Sequence, residues 1–195
     1  MDTNIINLDN VATEKRNSAT SNIDALSTIE MVRTINQQDQ LVALAVEKAL
    51  PSIASAIDVI TEKLQNGGHL FYIGAGTSGR LGILDAVECP PTFGVDFELV
   101  QGIIAGGYDA IFKAKEGAED SQELAVIDMK ERGFTSNDVL VGVAASGRTP
   151  YVIGGLKFAK ELGAPAIAVA CSPNSPMSEV ADITICVTPG PEVIT

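Results

Sequence analysis

Two ten-residue stretches, Phe71–Arg80 and Val139–Arg148, align without a gap. Each begins with an apolar run (Phe71-Tyr72-Ile73 in one, Val139-Leu140-Val141 in the other), passes through small residues and ends in Ser-Gly-Arg. A short apolar run entering such a turn reads as a buried strand feeding a helix. Two turns on one plan predict two parallel strands whose carboxyl ends lie side by side. The rest of the chain fits that frame. Further apolar runs occupy 97–104, 166–170 and 183–187, and helical spacing is expected over 81–87, 119–132 and 150–161. Cys89-Pro90-Pro91 ends the first of these helices and Gly133 the second. Strand–helix alternation of this kind predicts an α/β domain of three layers, a central parallel sheet with helices on both faces.

Helices are expected to precede the sheet. Ser27 with Glu30 is a capping box, opening helices over 27–36 and 38–49. Pro51 sits in the first turn of another, 51–65, which Asn66-Gly67-Gly68 stops. Residues 1–25 are polar and read as an irregular arm.

Charge narrows the function. The net charge is −12, the wrong sign for non-specific nucleic-acid binding. An anionic ligand must therefore be held by backbone N–H groups and a few placed side chains. Three cysteines without CxxC spacing and a single histidine, His69, give no recognisable metal site; His69, leading into a strand, reads as a sheet-edge residue. The apolar stretches are too short for a membrane span, and no signal-like segment opens the chain. The expectation is a reduced, cytoplasmic protein.

The loops supply the anion chemistry. Gly74-Ala75-Gly76-Thr77-Ser78-Gly79 matches G-x-G-x-x-G formally, but no acidic residue follows at the ribose-binding distance, so a nicotinamide site is a weak reading. Its glycines let the backbone and the helix N–H groups approach an anion. In the second loop, Ser146 and Thr149 offer hydroxyls, Gly147 an unobstructed N–H, and Pro150 starts a helix. Ser146 or Thr149 would equally serve as helix caps, and capping does not exclude binding. The carboxylates are less informative. Glu88 reads as a surface acid near a helix end, and Glu116, Glu119 and Asp120 as interchangeable acids at a helix start.

Longer segments carry a resemblance. Gly74–Arg80 and Ser146–Thr149 look like the paired loops of the sugar isomerase (SIS) domain. Leu26–Met31, Gly74–Ala86, Glu88–Gly94, Ile104–Gly107, Glu116–Ser121 and Ala144–Val152 resemble the N-acetylmuramic acid 6-phosphate etherase family within it. The resemblance covers 26–195 and implies a SIS-type phosphosugar-binding domain there, behind the 1–25 arm. It implies a phosphorylated amino-sugar substrate, bound by Gly76, Thr77, Ser78, Gly79, Ser146, Gly147, Arg148 and Thr149. Glu88 is implied as the acid that protonates a departing lactate, and Glu119 as the second catalytic carboxylate. It further implies elimination followed by hydration, in cell-wall amino-sugar recycling or catabolism, with neither metal nor cofactor, in a homodimer. The family's chains continue past the equivalent of Thr195, so the domain is expected to be incomplete at its carboxyl end, without the family's C-terminal helical domain, and a 195-residue chain to be inactive alone. Two alternatives share the fold: a non-catalytic phosphosugar sensor of the glucokinase-regulating kind, which needs neither glutamate, and an aldose–ketose isomerase, against which Glu88-Cys89-Pro90-Pro91 argues.

Overall fold

The computed structural model describes residues 15–194. Residues 1–14 of the expected arm lie outside the described residues. The rest of it, 15–25, is turns closing in a short 3-10 segment, Ile23–Ala25, with Asn17 buried and hydrogen-bonded to Gln38.

Five parallel strands form one sheet: β1 (Leu70–Gly74), β2 (Val100–Ile104), β3 (Val139–Val143), β4 (Ala166–Ala170) and β5 (Ile183–Cys186), in the order β2-β1-β3-β4-β5. Helices α2 (Leu50–Gln65) and α3 (Gly76–Phe93) cover one face, where Ala56 and Ala86 meet Leu70, Val100, Val139, Val141 and Ile167. Helices α5 (Gln122–Glu131), α6 (Pro150–Leu162) and α7 (Pro176–Val180) cover the other, packing Met129, Tyr151, Leu156 and Met177 on Phe71, Ile73 and Leu140. The expected three-layer α/β domain is present. The two-residue period along each strand sends successive side chains to the two helical layers.

Several boundaries differ from the sequence reading. Helix α1 runs unbroken over Thr28–Glu47 behind its capping box, because Asn36-Gln37-Gln38 contains neither Gly nor Pro to stop it. Helix α3 begins at Gly76 and continues through Pro90 and Pro91 to Phe93. Proline's fixed φ is helical, so two prolines near the end cost only the bonds to two carbonyls; Gly94, at φ 67°, makes the actual stop and bonds back to Pro90 O at 2.9 Å. Strand β2 starts three residues later than its apolar run, and α5 is preceded by a 3-10 turn over Ala118–Asp120. Two short helices, α4 (Asp109–Phe112) and α7, are too brief to show a period.

The amino edge of the sheet is closed by Asp138, which is 3% exposed. One carboxylate oxygen accepts from the His69 N–H (2.9 Å) and faces its ring Nδ1 (2.8 Å). The other accepts from the N–H and hydroxyl of Thr135. His69 thus stands at the sheet's amino edge, far from the loops at the carboxyl ends.

Candidate active site

Strand order decides where a ligand can lie. The chain steps outward from β1 to β2, then returns to place β3 on the opposite side of β1. A crevice opens at such a reversal, outside the carboxyl ends of the two strands. The loops after β1 and β3 are those that carry the two Ser-Gly-Arg segments, and Gly74 is the register partner of Val143.

The loops are neighbours but not copies. In the first, helix α3 begins immediately, so Thr77, Ser78 and Gly79 form its opening turn. The first intrahelical bond runs from Gly79 N–H to Ala75 O at 3.2 Å, which leaves the amides of Gly76, Thr77 and Ser78 without helical acceptors. Gly79 must lack a side chain, because a Cβ there would stand 2.7 Å from Ile104 Cγ1 and 2.8 Å from Gly74 O. That contact lets α3 lie close on β1 and β2.

The second loop makes a separate turn before α6. The Gly147 N–H donates to Ala144 O at 2.9 Å and the Arg148 N–H to Ser146 Oγ at 3.3 Å. Gly147 holds φ 66°, and a Cβ would collide with the Ser175 side chain. Thr149 occupies the N-cap of α6, yet its hydroxyl makes no cap bond, so it stays free for a ligand. The loop is tied to the one after β4 by Cys171 N–H to Ala145 O (2.8 Å) and Met177 N–H to Gly147 O (3.1 Å).

The two arginines that the aligned stretches equate play different parts. Arg80 donates from Nε to Ile111 O and from Nη2 to Ala110 O, both at 2.8 Å, fastening α4 and the segment after it to the start of α3. Arg148 has a buried Nε without a hydrogen-bond partner among the described residues, as has the buried Ser172 Oγ nearby in sequence to Ser175.

The carboxylates separate as well. A cavity of about 200 Å³ between the ends of β1 and β2 is walled by Ala75, Gly76, Arg80, Lys115, Glu116 and Glu119. Asp120 is not in its wall, which divides the three acids that spacing left equivalent. Glu88 is exposed on α3, twelve residues past Gly76, or about 18 Å down the helix at ~1.5 Å per residue. It points away from the sheet on one stripe with Leu81 and Leu84, which are 57% and 56% exposed. Within one chain, then, Glu119 borders the cavity between β1 and β2 and Glu88 does not. Lys115, whose Nζ lies 2.9 Å from Gly106 O and 3.5 Å from Asp109, is the wall residue that sequence reasoning passed over. Its place next to Glu116 was the available signal. A larger groove, about 440 Å³, follows the free edge of β2 past Ile83, Phe97 and Tyr108.

Among the described residues no group of His, Cys, Asp and Glu is placed to hold a metal ion, and no helix is long and apolar enough to cross a membrane.

Comparison with known proteins follows the same line. The family model of the glucokinase regulatory protein N-terminal SIS domain matches residues 52–160. An N-acetylmuramic acid 6-phosphate etherase from Clostridium beijerinckii is 61% identical over 190 residues, covering 97% of this chain and 62% of that protein. One from Vibrio vulnificus is 59% identical, covering 97% and 63%. The chain thus spans a little under two thirds of the length of these curated relatives. Among solved structures, a phosphoheptose isomerase from Neisseria gonorrhoeae superposes with a TM-score of 0.62 at 17% identity, over 81% of this chain and 84% of that one, a likeness of fold.

Proposed function

The chain belongs to the SIS-domain family of the glucokinase regulatory protein N-terminal model, grouping with proteins named N-acetylmuramic acid 6-phosphate etherase, and on that premise we propose that it cleaves the D-lactyl ether of N-acetylmuramic acid 6-phosphate. The observation that carries this is the adjacency of the two loops at the β1/β3 reversal, with the Glu119 cavity one strand further along.

In this reading the phosphate is held between the opening turn of α3 (Gly76, Thr77, Ser78, Gly79) and the second loop (Ser146, Gly147, Arg148, Thr149). Free amides and hydroxyls bind it without requiring net positive charge. The second loop also supplies a guanidinium, Arg148, whose Nε has no hydrogen-bond partner among the described residues. The open-chain sugar has an acidic proton at carbon 2, next to the aldehyde. Glu119 removes it as general base, the carbon 3–oxygen bond breaks, and lactate departs with a proton from Glu88. Water then adds at carbon 3 and a proton returns to carbon 2, giving N-acetylglucosamine 6-phosphate and D-lactate. Each positioned acid or base contributes roughly 10²–10⁴-fold. The reaction class is a carbon–oxygen lyase acting in amino-sugar recycling or catabolism, with no cofactor.

The position of Glu88 adds a condition. It cannot meet Glu119 of its own chain, so the site is completed by Glu88 of the partner subunit in a homodimer. Supporting this, Leu81, Leu84 and Val87 around it are exposed, and α1 leaves Ile29, Val32, Leu41 and Leu44 uncovered.

The test is D-lactate release from N-acetylmuramic acid 6-phosphate, coupled to a D-lactate dehydrogenase. Release by a protein of the relatives' full length and near-abolition in its Glu88→Gln variant are expected. Full activity in Glu88→Gln would remove the assignment. A sensor would bind the phosphosugar and release no lactate.

A further inference from the structure

The Glu119 cavity has a composition that the proton transfers alone do not require. Besides its acids it holds two cations, Arg80 and Lys115, and its remaining wall is methyl groups and backbone: Ala75, Ala105, Ala110 and Ala114, with Gly76. Arg80 is held rigidly, with Nε and Nη2 committed to two carbonyls; Nη1 has no partner among the described residues. Lys115, in the same wall, donates to Gly106 O and stands 3.5 Å from the exposed Asp109 carboxylate. In a chain of net charge −12, two cations in one small cavity stand out against the general field, and they offset Glu116 and Glu119 in the same wall.

We infer that this cavity is the pocket for the lactyl group itself, a branched three-carbon ether acid whose carboxylate lies against Arg80 and Lys115 and whose methyl rests on the alanines. This rests on the etherase reading above and gives it a source of specificity. The product, N-acetylglucosamine 6-phosphate, shares the sugar and the phosphate but lacks this group, so only the pocket can tell substrate from product. The spacing agrees. The phosphate cradle lies over β1 and β3 and the pocket over β1 and β2, and β3 and β2 are two strand spacings apart, about 10 Å. An extended hexose 6-phosphate spans that interval from phosphate to carbon-3 substituent. A fixed, planar guanidinium and an ammonium are suited to a carboxylate as paired charged donors.

Titration calorimetry separates the pocket from the function. N-Acetylmuramic acid 6-phosphate is titrated into the Glu88→Gln protein, which prevents turnover, and N-acetylglucosamine 6-phosphate into the same protein. Adding Lys115→Met is expected to weaken the lactyl-bearing sugar by about tenfold, the order of one lost charged hydrogen bond, and to leave the other sugar within about twofold. Ala114→Leu, at an exposed position that tolerates the larger side chain, fills the pocket without changing charge and should give the same selective loss. Equal weakening of both sugars, or no change in either, overturns the pocket and leaves the phosphosugar reading standing. Failure of the unsubstituted protein to bind either sugar overturns the proposed function, and the pocket with it.

Discussion

Gly79 carries more of the site than any side chain in the first loop. A methyl there would enter the space of Ile104 Cγ1 and Gly74 O, and overpacking of this sort costs roughly 1–3 kcal/mol. Gly79→Ala should therefore lower the unfolding free energy obtained from a urea titration by an amount in that range and reduce lactate release more than the stability loss explains, since α3's free amides move with the helix. Gly147→Ala meets both a positive φ and the Ser175 side chain, so it should be the worse of the two. Comparable denaturation midpoints for wild type and both variants would contradict this account of the loops. The glycines were legible as loop formers in the sequence. Which of them is sterically obligatory was not, because Ile104 and Ser175 come from other strands and other loops.

At the scale of elements, the joint between β1 and β3 at the amino edge is a pH-sensitive one. Burial alone would push the Asp138 carboxyl up, but the His69 ring, the Thr135 N–H and hydroxyl and the His69 N–H together hold it below its ordinary value. A carboxyl with a lowered folded-state pKa stabilises the fold above its unfolded value and loses that contribution as pH falls through the folded one. Asp138→Asn should thus be destabilising at neutral pH, by about 1–3 kcal/mol for a buried charged hydrogen-bond acceptor. The difference from wild type should shrink as pH drops below about 4. Thermal melts at pH 7 and pH 3.5 would check this; a gap that is constant with pH would refute it. On the other side of the sheet, Tyr151 is fully buried with its hydroxyl donating to Asp128, and burial first, then that carboxylate, pushes the phenol upward. Tyr151→Phe should cost about 1 kcal/mol in a urea titration without altering the sheet. Element identity was mostly readable from the period of the apolar residues. The prolines of α3 misled that reading, because proline ends a helix by the bond it removes, and near a C-terminus few bonds remain to remove.

For the molecule as a whole, the exposed stripe of α3 and the uncovered length of α1 make a testable demand. The protein should sediment as a dimer, and Leu84→Glu should yield a monomer that retains its fold by circular dichroism and releases no lactate. A folded, fully active monomer would show that Glu88 works without a partner. The net charge of −12 sets the same demand: on the proposed reading a phosphosugar is not drawn in by the overall field and depends on local amides, hydroxyls and single placed cations at the carboxyl edge of the sheet.

The sequence by itself determined the layers, the five strands and the two Ser-Gly-Arg turns, because each is written in local terms: period, small residues, a serine followed by glycine. Its longer motifs also singled out Glu88 and Glu119, by resemblance. Only the tertiary structure decided what those residues can reach. Strand order set the two loops side by side, put Glu119 and Glu116 but not Asp120 in one cavity, and turned Arg80 inward as a fastener while leaving the Arg148 Nε unpaired. It also sent Glu88 outward, because a helix that buries Gly79, Gly82 and Ala86 against a sheet must present the residues on its opposite face to whatever lies beyond.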